Sequence, residues 1–131
     1  MILRGATLID GSGAPALRDR AVVVDERRIA AIVPDRGPHD EVVLDLGGLT
    51  LLPGLINCHV HLCLSGEADP SRTLTDETYA ATVVSAVVRA RRTVEAGVTT
   101  VRDLGGREYA ELAVRDAVRA GVIPGPRVLC A

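Results

Sequence analysis

The sequence has no lysine, no phenylalanine and no tryptophan, and two tyrosines make up its whole aromatic content of 2%. A chain so poor in stacking side chains, with a formal net charge of -2, lacks the basic and aromatic surface of a nucleic-acid binder and is not drawn to an anionic membrane. No apolar run approaches the ~18 residues of a membrane span. The segment from Met1 to Asp10 has no charged leader followed by a long apolar stretch and reads as a strand, so secretion is not expected. Three cysteines, Cys58, Cys63 and Cys130, are an odd number without a framework spacing, and they read as reduced thiols of a cytoplasmic protein. What is present is aliphatic: the hydrophobic fraction is 47%, so any core is built from Val, Leu, Ile and Ala. The 131 residues set the scale of one modest domain.

The pattern changes near residue 52. Before it come short strands separated by turn residues: Ile2 to Ile9, Ala21 to Val24, Ile29 to Val33, Val42 to Leu46 and Leu49 to Leu52, with Asp10-Gly11-Ser12-Gly13 as a turn. Asp25-Glu26-Arg27-Arg28 joins two of these strands as a hairpin that lacks the glycine such a turn favours, so a residue with positive φ would be strained there. This spacing predicts a small β-sandwich or sheet layer over residues 1–52. After it the reading is β-α-β-α-β over 53–131, with strands at Leu55 to His61, Val98 to Asp103 and Arg127 to Ala131. The first helix is expected over Thr75 to Ala96, capped by Thr75, with an apolar stripe of Ala80, Val83, Val84, Val87, Val88 and Val94. The second is expected over Glu108 to Ala120. Such alternation implies parallel strands joined by crossovers, an α/β architecture.

The chemistry concentrates at Leu51-Leu52-Pro53-Gly54-Leu55-Ile56-Asn57-Cys58-His59-Val60-His61-Leu62. Alternate side chains of a strand share a face, so His59 and His61 project together, where two imidazoles can meet one metal ion. A structural histidine pair is the bland alternative. Cys58 alternates away from them and should pack behind the strand. Cys63 and Cys58 invite a soft zinc site, though buried apolar thiols are the commoner case. Asp103 ends the second strand. It is expected either to bind substrate or orient a metal ligand, or to cap the Gly105-Gly106 turn. Arg102 should point the opposite way and pair on the helix side. Arg89, Arg91 and Arg92 read as a solvated helix face.

Several segments, in order, resemble the amidohydrolase superfamily, metal-dependent hydrolases built on a distorted TIM barrel. They are Thr7-Leu8-Ile9-Asp10-Gly11, the hairpin from Ala21 to Ile32, Leu52 to Ile56 followed by His59 and His61, Gly97 to Gly106, and Ile123 to Val128. The last two resemble the dipeptidase and imidazolonepropionase-like branch. The resemblance implies that the chain holds a small β-domain portion and the first three strands of an incomplete TIM-like barrel. It implies one or two divalent cations, most often zinc, with His59 and His61 as ligands, and hydrolysis of a C–N bond in a small molecule. Asn57 stands where the motif more often has aspartate, which leaves it a hydrogen-bonding role. The family's bridging lysine, two further histidines and an aspartate come from later strands. His39, in the loop Pro38-His39-Asp40, is at a place where the family has no ligand. A truncated hydrolase is therefore expected, its acid/base lying outside this sequence. Its alternatives are a deaminase and, in a different class, a non-enzymatic assembly subunit that self-associates through exposed edges.

Overall fold

The computed structural model describes residues 1–36, 42–70 and 75–131; His39 lies outside them. The chain divides into two compact units, Met1–Pro53 and Gly54–Ala131.

The first unit is built of short strands: β1 (Ile2–Arg4), β2 (Thr7–Leu8), β3 (Arg20–Asp25), β4 (Arg28–Pro34), β5 (Val43–Asp45) and β6 (Thr50–Leu51). Four of them form a sheet in the order β4-β3-β1-β5, and β2 pairs separately with β6. The strand expected from Ile2 to Ile9 is thus two strands. The break falls at Gly5, whose φ is +77° and where a side chain would run into the Asp45 carboxylate, 2.8 Å from a Cβ placed there. The hairpin joins β3 to β4 in antiparallel register, Asp25 opposite Arg28. Its two turn residues, Glu26 and Arg27, take φ of +53° and +128°. The turn therefore keeps the two-residue hairpin geometry without glycine, and Arg27 bears the strain. Ile2, Ala6, Leu8, Ala21 and Val22 are buried.

The second unit contains β7 (Leu55–Val60), helix α1 (Tyr79–Glu95), β8 (Val98–Asp103), a single 3-10 turn (Arg107–Tyr109), helix α2 (Ala110–Arg119) and β9 (Arg127–Cys130). The sheet order is β7-β8-β9 and both pairings are parallel, as an alternating β-α-β-α-β chain requires. One face of the sheet carries the core. Val101 and Val128 lie opposite one another in register and are buried with Ala86 and Ala90 of α1, Ala110 and Val114 of α2, and Leu62 and Cys63.

Three local expectations are corrected. Helix α1 starts at Tyr79: Thr78 is its N-cap, in extended conformation, and the Thr78 side chain accepts from the Ala81 N–H. Thr75 instead donates its hydroxyl to Asp76, so the earlier of two cap-competent threonines is not used. The buried residues of α1 are Thr82, Ala86 and Ala90, while Val84 is 65% exposed. Small residues at i, i+4 and i+8 let the helix approach the sheet closely, while Val83 and Val87 of the expected stripe pack against the same core. The second helix begins at Ala110, because Glu108 and Tyr109 both take left-handed φ, +52° and +59°, which an α-helix does not accommodate.

Candidate metal and substrate site

His59 and His61 emerge on one side at the end of β7, with ring centroids 5.5 Å apart and the planes inclined at 71°. Val60 between them packs on the helix-covered core, so the two imidazoles stand on the sheet's other face. The register of β7 against β8 slips between Asn57 and Val60. At that slip the Asn57 side-chain oxygen accepts the His59 backbone N–H at 3.1 Å, a local turn in the strand. An asparagine oxygen can accept this bond where an aspartate oxygen would, without the added strength of a charge.

His61 is fixed more firmly. Its Nδ1 lies 2.7 Å from the Gly105 carbonyl oxygen. A carbonyl only accepts, so Nδ1 carries a proton and Nε2 keeps its lone pair for another partner. The residue that follows is held from two sides: Leu62 N–H donates to Asp103 Oδ2 at 3.0 Å, and Arg89 Nη1 donates to the Leu62 carbonyl at 3.1 Å. The other Asp103 oxygen accepts the Gly105 N–H at 3.0 Å. In front of this arrangement opens a cleft of about 560 Å³ lined by His61, Leu64 and Leu104 to Arg107.

Of the sequence candidates, His59, His61 and Asn57 are brought together at one strand end. Asp103 is different: it is wholly buried, on the Val101 face, with both oxygens taken by backbone N–H groups. It caps the Gly105 turn and braces the His61 segment, and direct substrate contact is not open to it. Arg102 is corrected too. It alternates with buried Val101 and Asp103 and is exposed, so it points away from the helices and shares the face of the histidine pair. The apolar parity of Val101 was the signal for this placement. Cys58 is exposed rather than packed behind the strand: of β7 only Val60, at its end, reaches the helix-covered core. Cys63 is buried, and burial first, then the nearby Asp103 and Glu111 carboxylates, push its thiol up to about 11. Cys63 is packed into the buried core with Val101, Ala110 and Val114, as a small apolar residue is. Glu111, 3% exposed, is a buried carboxylate that sequence reading missed, and among the described residues its Oε2 has no hydrogen-bond partner. Nothing in its helix sequence distinguished it from a surface glutamate.

Among the described residues, no group of three or more His, Cys, Asp or Glu is arranged to hold a metal ion. The donor set here is the two imidazoles, half of a usual zinc complement. It fits a divalent cation as part of a larger ligand set: both rings are on one side, and one has its far nitrogen freed by a backbone carbonyl. No helix among the described residues is long and apolar enough to cross a membrane.

Comparison with known proteins agrees with this geometry. The model of the amidohydrolase family matches residues 50–131. A dihydroorotase of Thermoanaerobacter sp. (strain X514) is 34% identical over 82 residues, 63% of this chain and 19% of the relative. An imidazolonepropionase of Arthrobacter sp. (strain FB24) is 34% identical over 79 residues, 58% of this chain and 20% of the relative. Among solved structures, a Xaa-Pro dipeptidase with methionine bound in its active site superposes with a TM-score of 0.85 at 27% identity, over 99% of this chain and 32% of the dipeptidase. The chain thus spans about a fifth of the length of the curated relatives and about three-tenths of the solved ones.

Proposed function

We propose a function from one premise: this chain belongs to the amidohydrolase family. It supplies two metal ligands, His59 and His61, to a hydrolase that cleaves a C–N bond in a small molecule. The observation that supports this most is the juxtaposition of the two rings with the His61 Nδ1 committed to Gly105. A divalent cation, zinc by its preference for imidazole, supplies Lewis acidity and an activated water when bound. The chain's own residues hold His59 through the Asn57 turn and hold His61 through the Leu62 and Gly105 anchors; His61 lines the cleft and the His59 ring stands beside it. The three parallel strands form the first part of a TIM-like barrel, preceded by a sandwich-type β-domain portion. The remaining ligands and the acid/base come from residues outside this sequence. Within the family, Gly97 to Gly106 and Ile123 to Val128 favour the dipeptidase and imidazolonepropionase-like branch. Unpaired thiols at Cys58, Cys63 and Cys130 suit a reducing, cytoplasmic setting.

Arg102 adds a point about substrate. An exposed guanidinium on the face of the histidine pair suits a carboxylate close to the scissile bond. The test is a hydrolysis panel of Xaa-Pro dipeptides, N-acyl amino acids and their carboxamides, run on zinc-loaded protein expressed from the whole open reading frame. Hydrolysis lost in His59→Ala and His61→Ala, with Arg102→Met raising KM for the carboxylates more than for the carboxamides, supports the proposal. Full activity in either histidine variant refutes it. The panel also includes amidine substrates, which would reveal a deaminase.

A further inference from the structure

We infer that Asp103 is a positioning residue for His61: it acts through two backbone N–H groups and touches neither metal nor substrate. The inference builds on the proposed metal site only in its last step. Two strand ends must be held in register for the ring to be aimed. His61 belongs to the loop after β7, and Gly105, whose carbonyl fixes the ring, belongs to the loop after β8. The last link between these strands before the loops diverge is the Leu104 N–H bonding the Val60 carbonyl at 3.0 Å. Beyond it, the Asp103 carboxylate takes over. One oxygen receives Leu62 N–H, from the residue next to His61. The other receives Gly105 N–H, from the residue whose carbonyl holds Nδ1.

One buried carboxylate therefore joins donor and acceptor of the His61–Gly105 bond on their backbone side. Rotating either loop would strip a charged acceptor of an N–H in a water-free place, where the loss is expensive. Aspartate is suited to this because it offers two acceptor oxygens and no donor, and both N–H groups need an acceptor. Asparagine has the same shape but one acceptor only. The consequence is a choice of tautomer. While both anchors hold, the Gly105 carbonyl faces Nδ1, and the His61 proton stays there with Nε2 free.

The test uses the isotopically labelled, metal-free chain. Long-range ¹H–¹⁵N spectra of the imidazoles report the tautomer of each histidine, and His59 serves as the internal control. Wild type is expected to show His61 as the Nδ1–H form. In Asp103→Asn, His61 is expected to become a mixture of tautomers while His59 is unchanged, a selective response that a general loss of stability would not give. Should that variant not fold, scalar couplings through the hydrogen bonds of wild type decide the matter. Couplings from both Leu62 N–H and Gly105 N–H to the Asp103 carboxylate support the inference, and absence of either overturns it. An unmoved His61 tautomer in folded Asp103→Asn also overturns it. A zinc titration separates the two proposals. If wild type binds zinc through the pair, Asp103→Asn should bind it about 10–100-fold more weakly, and equal affinity would count against the inference. If wild type binds none, the two rings alone are too few ligands to hold the ion, and the tautomer decides the role of Asp103.

Discussion

Replacing Gly106 by alanine puts a methyl group into space that Cys63 and Glu111 already fill. A Cβ placed on Gly106 lies 2.6 Å from Cys63 Sγ, 2.8 Å from Cys63 Cβ and 2.9 Å from Glu111 Oε2. Ordinary contact between such atoms begins near ~3.5 Å, so one side must retreat by most of an ångström. Neither neighbour retreats easily. Cys63 is fully buried and Glu111 is 3% exposed, and the crowded Cys63 Cβ is bound directly to the backbone. Overpacking of this kind costs about 1–3 kcal/mol. For a unit of this size, that lowers the melting temperature by roughly 5–20 °C. Because Gly106 follows the residue that holds His61, the same change should also loosen the His61 Nδ1–H, seen as faster exchange with solvent. The assay is thermal melting with Gly66→Ala as control, since a Cβ at Gly66 meets nothing within 4 Å. The double variant Gly106→Ala with Cys63→Ala should recover part of the loss by removing the sulfur while its Cβ stays. A Gly106→Ala chain that melts within about 0.5 kcal/mol of wild type would refute this packing of the loop.

Two other outcomes are expected. An unfolded chain loses the Cys63 proton near the ordinary 9.0, whereas the folded chain keeps it to about 11. The unfolded state thus binds fewer protons in that window, and stability should fall as pH rises from about 9 to 11; urea melts of Cys63→Ala across this range should show a smaller fall. Arg27→Gly should stabilise the hairpin by about 1 kcal/mol, the strain of a non-glycine residue at φ +128° less the entropy glycine brings. Slower amide exchange in β3 and β4 checks it, and a loss of stability contradicts it.

The sequence made the histidine pair legible because strand parity needs no knowledge of partners: two residues apart means one face, and Pro53-Gly54 marks where the strand begins. The parallel order of β7, β8 and β9 was legible for a similar reason, since helical and extended periods alternate. What parity does not reveal is which face a helix will cover. Val101 pointed to the answer, yet Asp103 on the same face reads as a functional residue, because a carboxylate without a charged partner is seldom fully buried. Its two N–H donors lie 41 residues away and two residues away, and only the nearer one shows in the sequence. Cys58 was expected to pack behind the strand, but of β7 only Val60 reaches the core. The start of α1 turned on Thr75 against Thr78, two residues with the same capping chemistry, and the choice rests on where the chain enters the helix. The buried stripe of Thr82, Ala86 and Ala90 was hidden because small residues carry little hydrophobic signal, although close helix packing selects them.

In the proposed site His59 and His61 together hold one divalent cation. A zinc titration of the labelled chain, followed through the imidazole ¹⁵N resonances, reads this out ring by ring. The Nε2 signal of His61 and one nitrogen of His59 are expected to shift together and saturate at one ion, while His39 does not respond. Zinc that moves only one ring of the pair, or moves His39 equally, would contradict it.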